Sequence, residues 1–244
     1  RIDMAPSKYF KITDDLSADD IANIRMRWND KGIEIYGIQS LFFGKKELNM
    51  FGSSTDRRSM VNHLRAVFRV SSLLGARVLT FGSPINRNRM GILDDLVSNI
   101  ASEFFYRIGN IASIYDLQLC IEPIPVCYGS NFLTTTNEAA EMVSAINHNS
   151  IKLQIDTATI ISNIENAEYL CKKYKELIGH IHISEPGLRL IGKKEQWHTR
   201  IGKSIRHYLP GSTLTIETIG NNEGDLISDI VGSVSFAKKL YIDF

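Results

Sequence analysis

Cysteine is scarce in this 244-residue chain: Cys120, Cys127 and Cys171 are the whole set, and no two form a CxxC pair. An odd, scattered set argues against a disulfide framework and suits a reducing compartment. No apolar run reaches the ~20 residues needed to span a bilayer, and neither a signal-peptide pattern nor a low-complexity tract occurs. A cytoplasmic protein without a membrane partner is therefore the expectation. An excess of charge is missing too. Lys and Arg number 28 against 27 Asp and Glu, a net charge of +1 with no long basic block, so nucleic acid has no bulk electrostatic attraction to this chain. Neither a Gly-x-Gly-x-x-Gly nor a Walker pattern is present, which leaves nucleotide binding without local support. No Pro/Ser-rich linker divides the sequence, and residues 1–244 read as one domain.

What the chain does have is a regular alternation of strand-like and helix-like stretches. Strands are expected at Ile2–Ala5, Ile33–Gln39, Arg77–Gly82, Gln118–Glu122, Ile151–Asp156, Ile178–Ser184 and Thr213–Glu217. Ser17-Ala-Asp-Asp20 resembles a capping box before Ile21, Ile24 and Trp28, and Met60–Leu74 carries a helical apolar stripe that stops at Gly75. Thr135-Thr-Asn-Glu138 caps a helix through Ile146, and Asp225 opens a last helix toward Lys239. This βαβα order implies a parallel sheet with helices outside. In the last four strands one parity is apolar and the other polar. Strands of a doubly wound sheet are covered on both faces and lack that alternation, whereas barrel strands can carry polar layers near the catalytic end. The fold expected is thus an α/β (β/α)₈ TIM barrel with seven of its strands visible. A first strand and helix lying outside this chain is the favoured account of the missing eighth; a natural seven-stranded barrel is the alternative.

Glu122, Asp156, His182 and Glu217 each stand at the end of one of those four strands, separated by 34, 26 and 35 positions, about one strand-helix unit each. Three carboxylates and an imidazole delivered by consecutive strand ends suit one divalent metal ion. Taken singly, each glutamate could equally be half of a salt bridge at a barrel rim, and His182 a hydrogen-bonded core histidine. As a set they point to a metal or catalytic site.

Laid out in order, the segments Gln39-Ser-Leu-Phe-Phe-Gly44, Phe81-Gly-Ser-Pro-Ile-Asn-Arg87, Cys120-Ile-Glu-Pro123, Asn131-Phe-Leu133, Gln154-Ile-Asp-Thr157, His180-Ile-His-Ile-Ser-Glu-Pro-Gly187 and Ile216-Glu217 resemble the xylose isomerase-like TIM-barrel superfamily. The resemblance runs over nearly the whole length, with sugar phosphate isomerase/epimerase family proteins as the most similar subgroup. It implies metal-ligand roles for Glu122, Asp156, His182 and Glu217. It also implies acid and base roles for Glu122 and Glu217 on opposite faces of a sugar carbon. A cation that chelates a carbonyl and the neighbouring hydroxyl acidifies the C–H between them. One carboxylate can then remove the proton and another return it. Mn²⁺ or Mg²⁺ suits three carboxylates, and His182 keeps Co²⁺ and Zn²⁺ open. Two departures from the ketose epimerases stand out: Thr159 where they carry a substrate-binding His, and Gly129 after Tyr128 where they carry a Glu.

Further candidates line the same strand ends. Gln39 has inward parity and is a hydroxyl-binding candidate, and Tyr128 joins it as a substrate-binding candidate. Arg87, with Arg89, could clamp a phosphate or carboxylate, the alternative being a solvated loop. Glu185 either reads substrate or shapes its loop. His198 lies where a His recurs in the resembling subgroup. His180 shares inward parity one layer below His182, which favours packing or support over ligation. The expectation is a metal-dependent isomerase or epimerase acting on a small-molecule sugar, sugar phosphate or sugar-like carbonyl compound, with a homo-oligomer compatible with it. Two rival readings are an endonuclease IV-like metal phosphodiesterase, which would need more histidine ligands, and a non-catalytic, metal-retaining sugar-binding barrel.

Overall fold

In the computed structural model, which describes residues 1–220 and 225–242, seven parallel strands form one sheet in sequential order and curl into a nearly closed barrel. The strands are β1 (Ile2–Met4), β2 (Ile35–Ile38), β3 (Val78–Phe81), β4 (Gln118–Ile121), β5 (Ile151–Asp156), β6 (Ile178–Ile183) and β7 (Leu214–Ile216). Each pairs with the next in parallel register, for example Cys120 with Thr80 and His182 with Asp156. Among the described residues β1 and β7 share no backbone ladder, yet they lie close: Arg1 Nη1 donates to Thr213 Oγ1 at 3.3 Å. All seven expected strands are present. The sequence reading runs a residue or two long at several ends, so Glu122 and Glu217 sit just past their strands. They therefore belong to the loops at the carboxyl-terminal rim, where barrel enzymes carry their chemistry.

Between the strands run α1 (Ala18–Asn29), α2 (Ser54–Leu74), α3 (Asp94–Ile114), α4 (Thr136–Ile146), α5 (Thr157–Ser162), α6 (Ala167–Tyr174) and α7 (Glu195–Tyr208), with α8 (Leu226–Ala237) after β7. The caps follow local chemistry. Ser17 Oγ accepts from the backbone N–H of Asp20, and Ser53 with Asp56 and Thr135 with Glu138 form reciprocal capping boxes. The Ser53 box starts α2 six residues earlier than the apolar stripe from Met60 suggests. Outside the sheet, Phe81 of β3 packs edge-on against Phe42, Phe104 and Phe105, fastening the wall to α3. The three cysteines are free, Cys120 and Cys171 being buried. No helix among the described residues is long and apolar enough to cross a membrane. Removing the Thr135 cap with Thr135→Ala should lower unfolding free energy by about 1 kcal/mol in urea titrations, since the Glu138 N–H in the first turn of α4 loses its acceptor.

Candidate metal centre

Four consecutive strands converge their polar side chains on one point of the rim. Glu122 is held from the side by Gln154 of β5, whose Nε2 donates to Oε1 at 3.0 Å, while Thr80 Oγ1 of β3 donates to Gln154 Oε1 at 2.8 Å. Gly82 makes room for it: a Cβ there would lie 1.8 Å from Glu122 Oε2. Asp156 ends β5 and also caps α5, its Oδ1 accepting from the Thr159 N–H at 2.7 Å and its Oδ2 from Ser184 Oγ at 2.6 Å. His182 is completely buried, with Nδ1 lying 3.3 Å from Glu217 Oε2 and 3.8 Å from Glu122 Oε1. Glu122, Asp156, His182 and Glu217 each offer one ligand atom, and those atoms all lie within 4.8 Å of one another. Glu217 is the most exposed of the four, its side chain retaining 26% of its accessible surface.

The electrostatics of this arrangement are lopsided. Burial pushes the Glu122 carboxyl up to about 8, and the charges of Asp156 and Glu217 add to the rise while His182 and Arg87 oppose it. Burial likewise raises Asp156 against the opposing Ser184 hydrogen bond. For His182 burial alone would lower the value. Its hydrogen bonds to Asp3 and Glu217, together with the nearby carboxylate charges, hold it well above the ordinary histidine range instead. Without a cation the cluster therefore retains protons. A divalent ion would supply the positive charge in their place, and oxygen donors with one imidazole fit Mn²⁺, Mg²⁺, Co²⁺ or Zn²⁺.

Beside the cluster is a cavity of about 290 Å³, lined by Gln39, Phe42, Thr80, Gly82, Glu122 and Glu217. Gln39 thus faces the same space as the two glutamates. Tyr128, in a 3₁₀ turn after β4 (Val126–Tyr128), reaches across the rim, and its hydroxyl accepts from the Gly187 N–H at 2.8 Å. Arg87 is fully buried, with Nη1 donating to the Glu122 carbonyl at 2.7 Å, and burial lowers its guanidinium to about 10 against the opposing Glu122 charge. Glu185 and His198 form a separate buried group. Glu185 Oε1 accepts from the N–H groups of Gly192 and Lys194 and lies 3.6 Å from His198 Nε2, whose ring contacts Tyr241 Oη through Nδ1 at 2.5 Å. Their partners are the loop backbone before α7, each other and Tyr241 rather than the cavity. Thr159 Oγ1 donates to the Pro123 carbonyl at 3.0 Å, tying α5 to the end of β4.

One residue that sequence reasoning passed over enters this site. Asp3 of β1 is buried with Oδ2 at 2.6 Å from His180 Nε2 and 3.1 Å from His182 Nε2. Its signal was there, a lone acid between Ile2 and Met4, but a three-residue strand gives too little alternation to fix its face.

The family model described as xylose isomerase-like TIM barrel matches residues 2–212. No curated protein matches the chain. Solved structures of the same shape include a D-psicose 3-epimerase with D-tagatose from Clostridium cellulolyticum H10. It has TM-score 0.79 and 14% identity, covering 97% of this chain and 86% of that one. Another is the apo 3-keto-D-glucoside 4-epimerase YcjR from E. coli, at TM-score 0.75 and 11% identity, with coverage of 91% and 85%. A third is the IOLI protein with a binding zinc atom, at TM-score 0.68 and 14% identity, with coverage of 94% and 84%. At these identities the likeness is one of fold.

The raised Glu122 and His182 values give the metal-free protein a defined pH response. In the unfolded chain Glu122 loses its proton near the ordinary 4.5 and in the folded chain near 8, so the native state binds the extra proton between them. His182 acts in the same direction above its ordinary 6.5. Stability of metal-free protein should therefore fall as pH rises from about 5 to about 8, by up to ~1.4 kcal/mol per pH unit for each proton held. Saturating Mn²⁺ should remove that fall, as urea unfolding at a series of pH values would show.

Proposed function

This chain belongs to the xylose isomerase-like TIM-barrel family, and from that premise we propose that it is a divalent-metal-dependent isomerase or epimerase of a sugar or sugar-like carbonyl compound. The observation that carries the reading is the meeting of Glu122, Asp156, His182 and Glu217 within 4.8 Å at the carboxyl-terminal rim. Their ligand chemistry favours Mn²⁺ or Mg²⁺, and the zinc atom of the IOLI neighbour keeps Zn²⁺ in the set. The ion would polarise a carbonyl and the adjacent hydroxyl, acidifying the C–H bond between them. The sugar substrates named for the psicose and 3-keto-glucoside epimerases support that substrate class. We read residues 1–244 as one catalytic barrel domain.

Within this reading Glu122 and Glu217 transfer the proton. Gln154 and Gly82 fix the orientation of Glu122, so one oxygen is committed to a hydrogen bond while the other stands over Gly82 beside the cavity. Glu217 borders the same cavity and is less enclosed, which lets it exchange protons with water more readily. Two carboxyl groups flanking one reacting carbon permit removal of a proton by one and its return by the other. Gln39 would hold a hydroxyl, and Tyr128 would close the rim between the β4 and β6 loops. Asp156, held by two hydrogen bonds, and His182, held through Nε2 by Asp3, would be the stationary members that keep the ion in place.

Two outcomes test the proposal. Metal-loaded protein incubated in D₂O with a panel of ketoses, aldoses and their phosphates should place deuterium at a carbon next to the carbonyl in at least one sugar. Absence of exchange across the panel would leave a binding barrel instead. Glu217→Gln should lower the exchange rate by at least ~10²-fold and also weaken the metal. Unchanged metal content by elemental analysis would remove Glu217 from the ligand set.

A further inference from the structure

Behind the candidate centre, Asp3, His180 and His182 form a second cluster on β1 and β6. Its side chains are sealed from solvent, with Asp3 at 3%, His180 at 1% and His182 at 0% exposure. These three could be taken for another metal site, but the distances decide otherwise. Two ligands on one ion at ~2.1 Å each stand roughly 3 to 3.5 Å apart, whereas Asp3 Oδ2 and His180 Nε2 are separated by 2.6 Å. That is the length of a hydrogen bond and leaves no room for an ion between them. The pair His182 Nδ1 and Glu217 Oε2, at 3.3 Å, does have the spacing of two neighbouring ligands.

Donor accounting then fixes the imidazole. An ionised carboxylate only accepts, so the 2.6 and 3.1 Å contacts require a hydrogen on Nε2 of both His180 and His182. With Nε2 of His182 committed to Asp3, its other nitrogen, Nδ1, is the one presented to Glu122 and Glu217. The barrel has space for Asp3 in this position only because residue 37 on the neighbouring strand is glycine. A Cβ there would fall 2.2 Å from Asp3 Oδ1 and 2.4 Å from its Cγ. Asp3 pairs directly with Gly37 across the β1–β2 ladder, so the space and the side chain that fills it lie on adjacent backbones.

We propose that Asp3 is the positioning residue of the centre, its single Oδ2 gripping both histidines of β6 so that His182 presents Nδ1, and no other atom, to a divalent ion. This rests on the metal-dependent reading given above and extends it to a strand that reaches the ion only through His182. His180 braces the carboxylate from below, and Gly37 keeps it from being pushed aside. Carboxylate partners of metal-bound histidines raise ligand basicity and lock ring orientation, and their loss commonly weakens metal binding 10- to 100-fold.

The test is a double-mutant cycle read by metal titration calorimetry with Mn²⁺ and Zn²⁺ on the full chain. Asp3→Asn should weaken binding by about 10- to 100-fold. Gly37→Ala, which leaves Asp3 intact but displaces it, should weaken binding in the same direction. The double variant should lose little more than the larger single loss, because both changes undo one contact. In the zinc-loaded wild type, ¹⁵N-edited imidazole spectra should show His182 with a hydrogen on Nε2 and none on Nδ1, and that signature should be lost or exchange-broadened in Asp3→Asn. A merely structural role would lower thermal stability but leave the ring signature and the affinity in place. Wild-type affinity in both single variants, with Glu217→Gln weakened, would overturn the role of Asp3 while sparing the metal reading. Absence of divalent-ion binding by the wild type would overturn both.

Discussion

Three carboxyl groups and one imidazole cannot share a buried rim unless positive charge accompanies them. That constraint organises the carboxyl-terminal face of this barrel. Glu122, Asp156 and Glu217 approach His182 from three strands, and the low polarisability around them magnifies their mutual repulsion. The surroundings answer with donors: Gln154 to Glu122, the Thr159 N–H and Ser184 Oγ to Asp156, and His182 itself to Glu217. These bonds offset part of the desolvation cost and fix the directions of the oxygens, and only the one from His182 brings positive charge with it. Protons in the metal-free protein, or a divalent ion, complete the balance.

The same constraint accounts for the small residues nearby. A carboxylate turned into the barrel needs space that a neighbouring side chain would occupy, and the strands leave it with glycine, Gly82 beside Glu122 and Gly37 beside Asp3. Each glycine, Gly37 within β2 and Gly82 just past β3, costs backbone entropy, and in return it sets where a charge can stand. Arg87 adds a fixed guanidinium behind Glu122, bonded to its carbonyl rather than to its carboxylate. In this conformation it is a buried part of the wall, and a role in gripping a substrate anion would require the surrounding loop to move. Glu185 and His198 are likewise turned to holding a loop against α7. The polar residues of the rim thus divide between those around the ion-sized space and those that keep the walls in register.

The strand order was legible because a parallel barrel writes its period into sequence: a short apolar run, a capped amphipathic helix, then another run. Seven strands and the Thr135 capping box were read from that pattern alone, as was the placement of Glu122, Asp156, His182 and Glu217 at strand ends. The second role of Asp156, as the cap of α5, was not read, because a six-residue helix has too little periodicity to announce itself. The Ser53 box escaped for a related reason: the first turn of α2 lies outside its apolar stripe. Sequence pattern also cannot tell whether an inward-pointing polar side chain meets a ligand or another side chain. Glu185 and Arg87 could be placed near the rim, but their partners could not.

The α/β repeat, the parity that turns polar groups inward, and the set of four residues suited to one cation follow from local periodicity and ligand chemistry, and so could be read along the chain. How those groups are held is a matter of contacts between distant strands. Asp3 and His182 are 179 positions apart, and their contact exists only because the curled sheet brings β1 beneath β6. No local pattern records that closure. It depends on strand register and barrel curvature, and those are settled by packing across the whole chain.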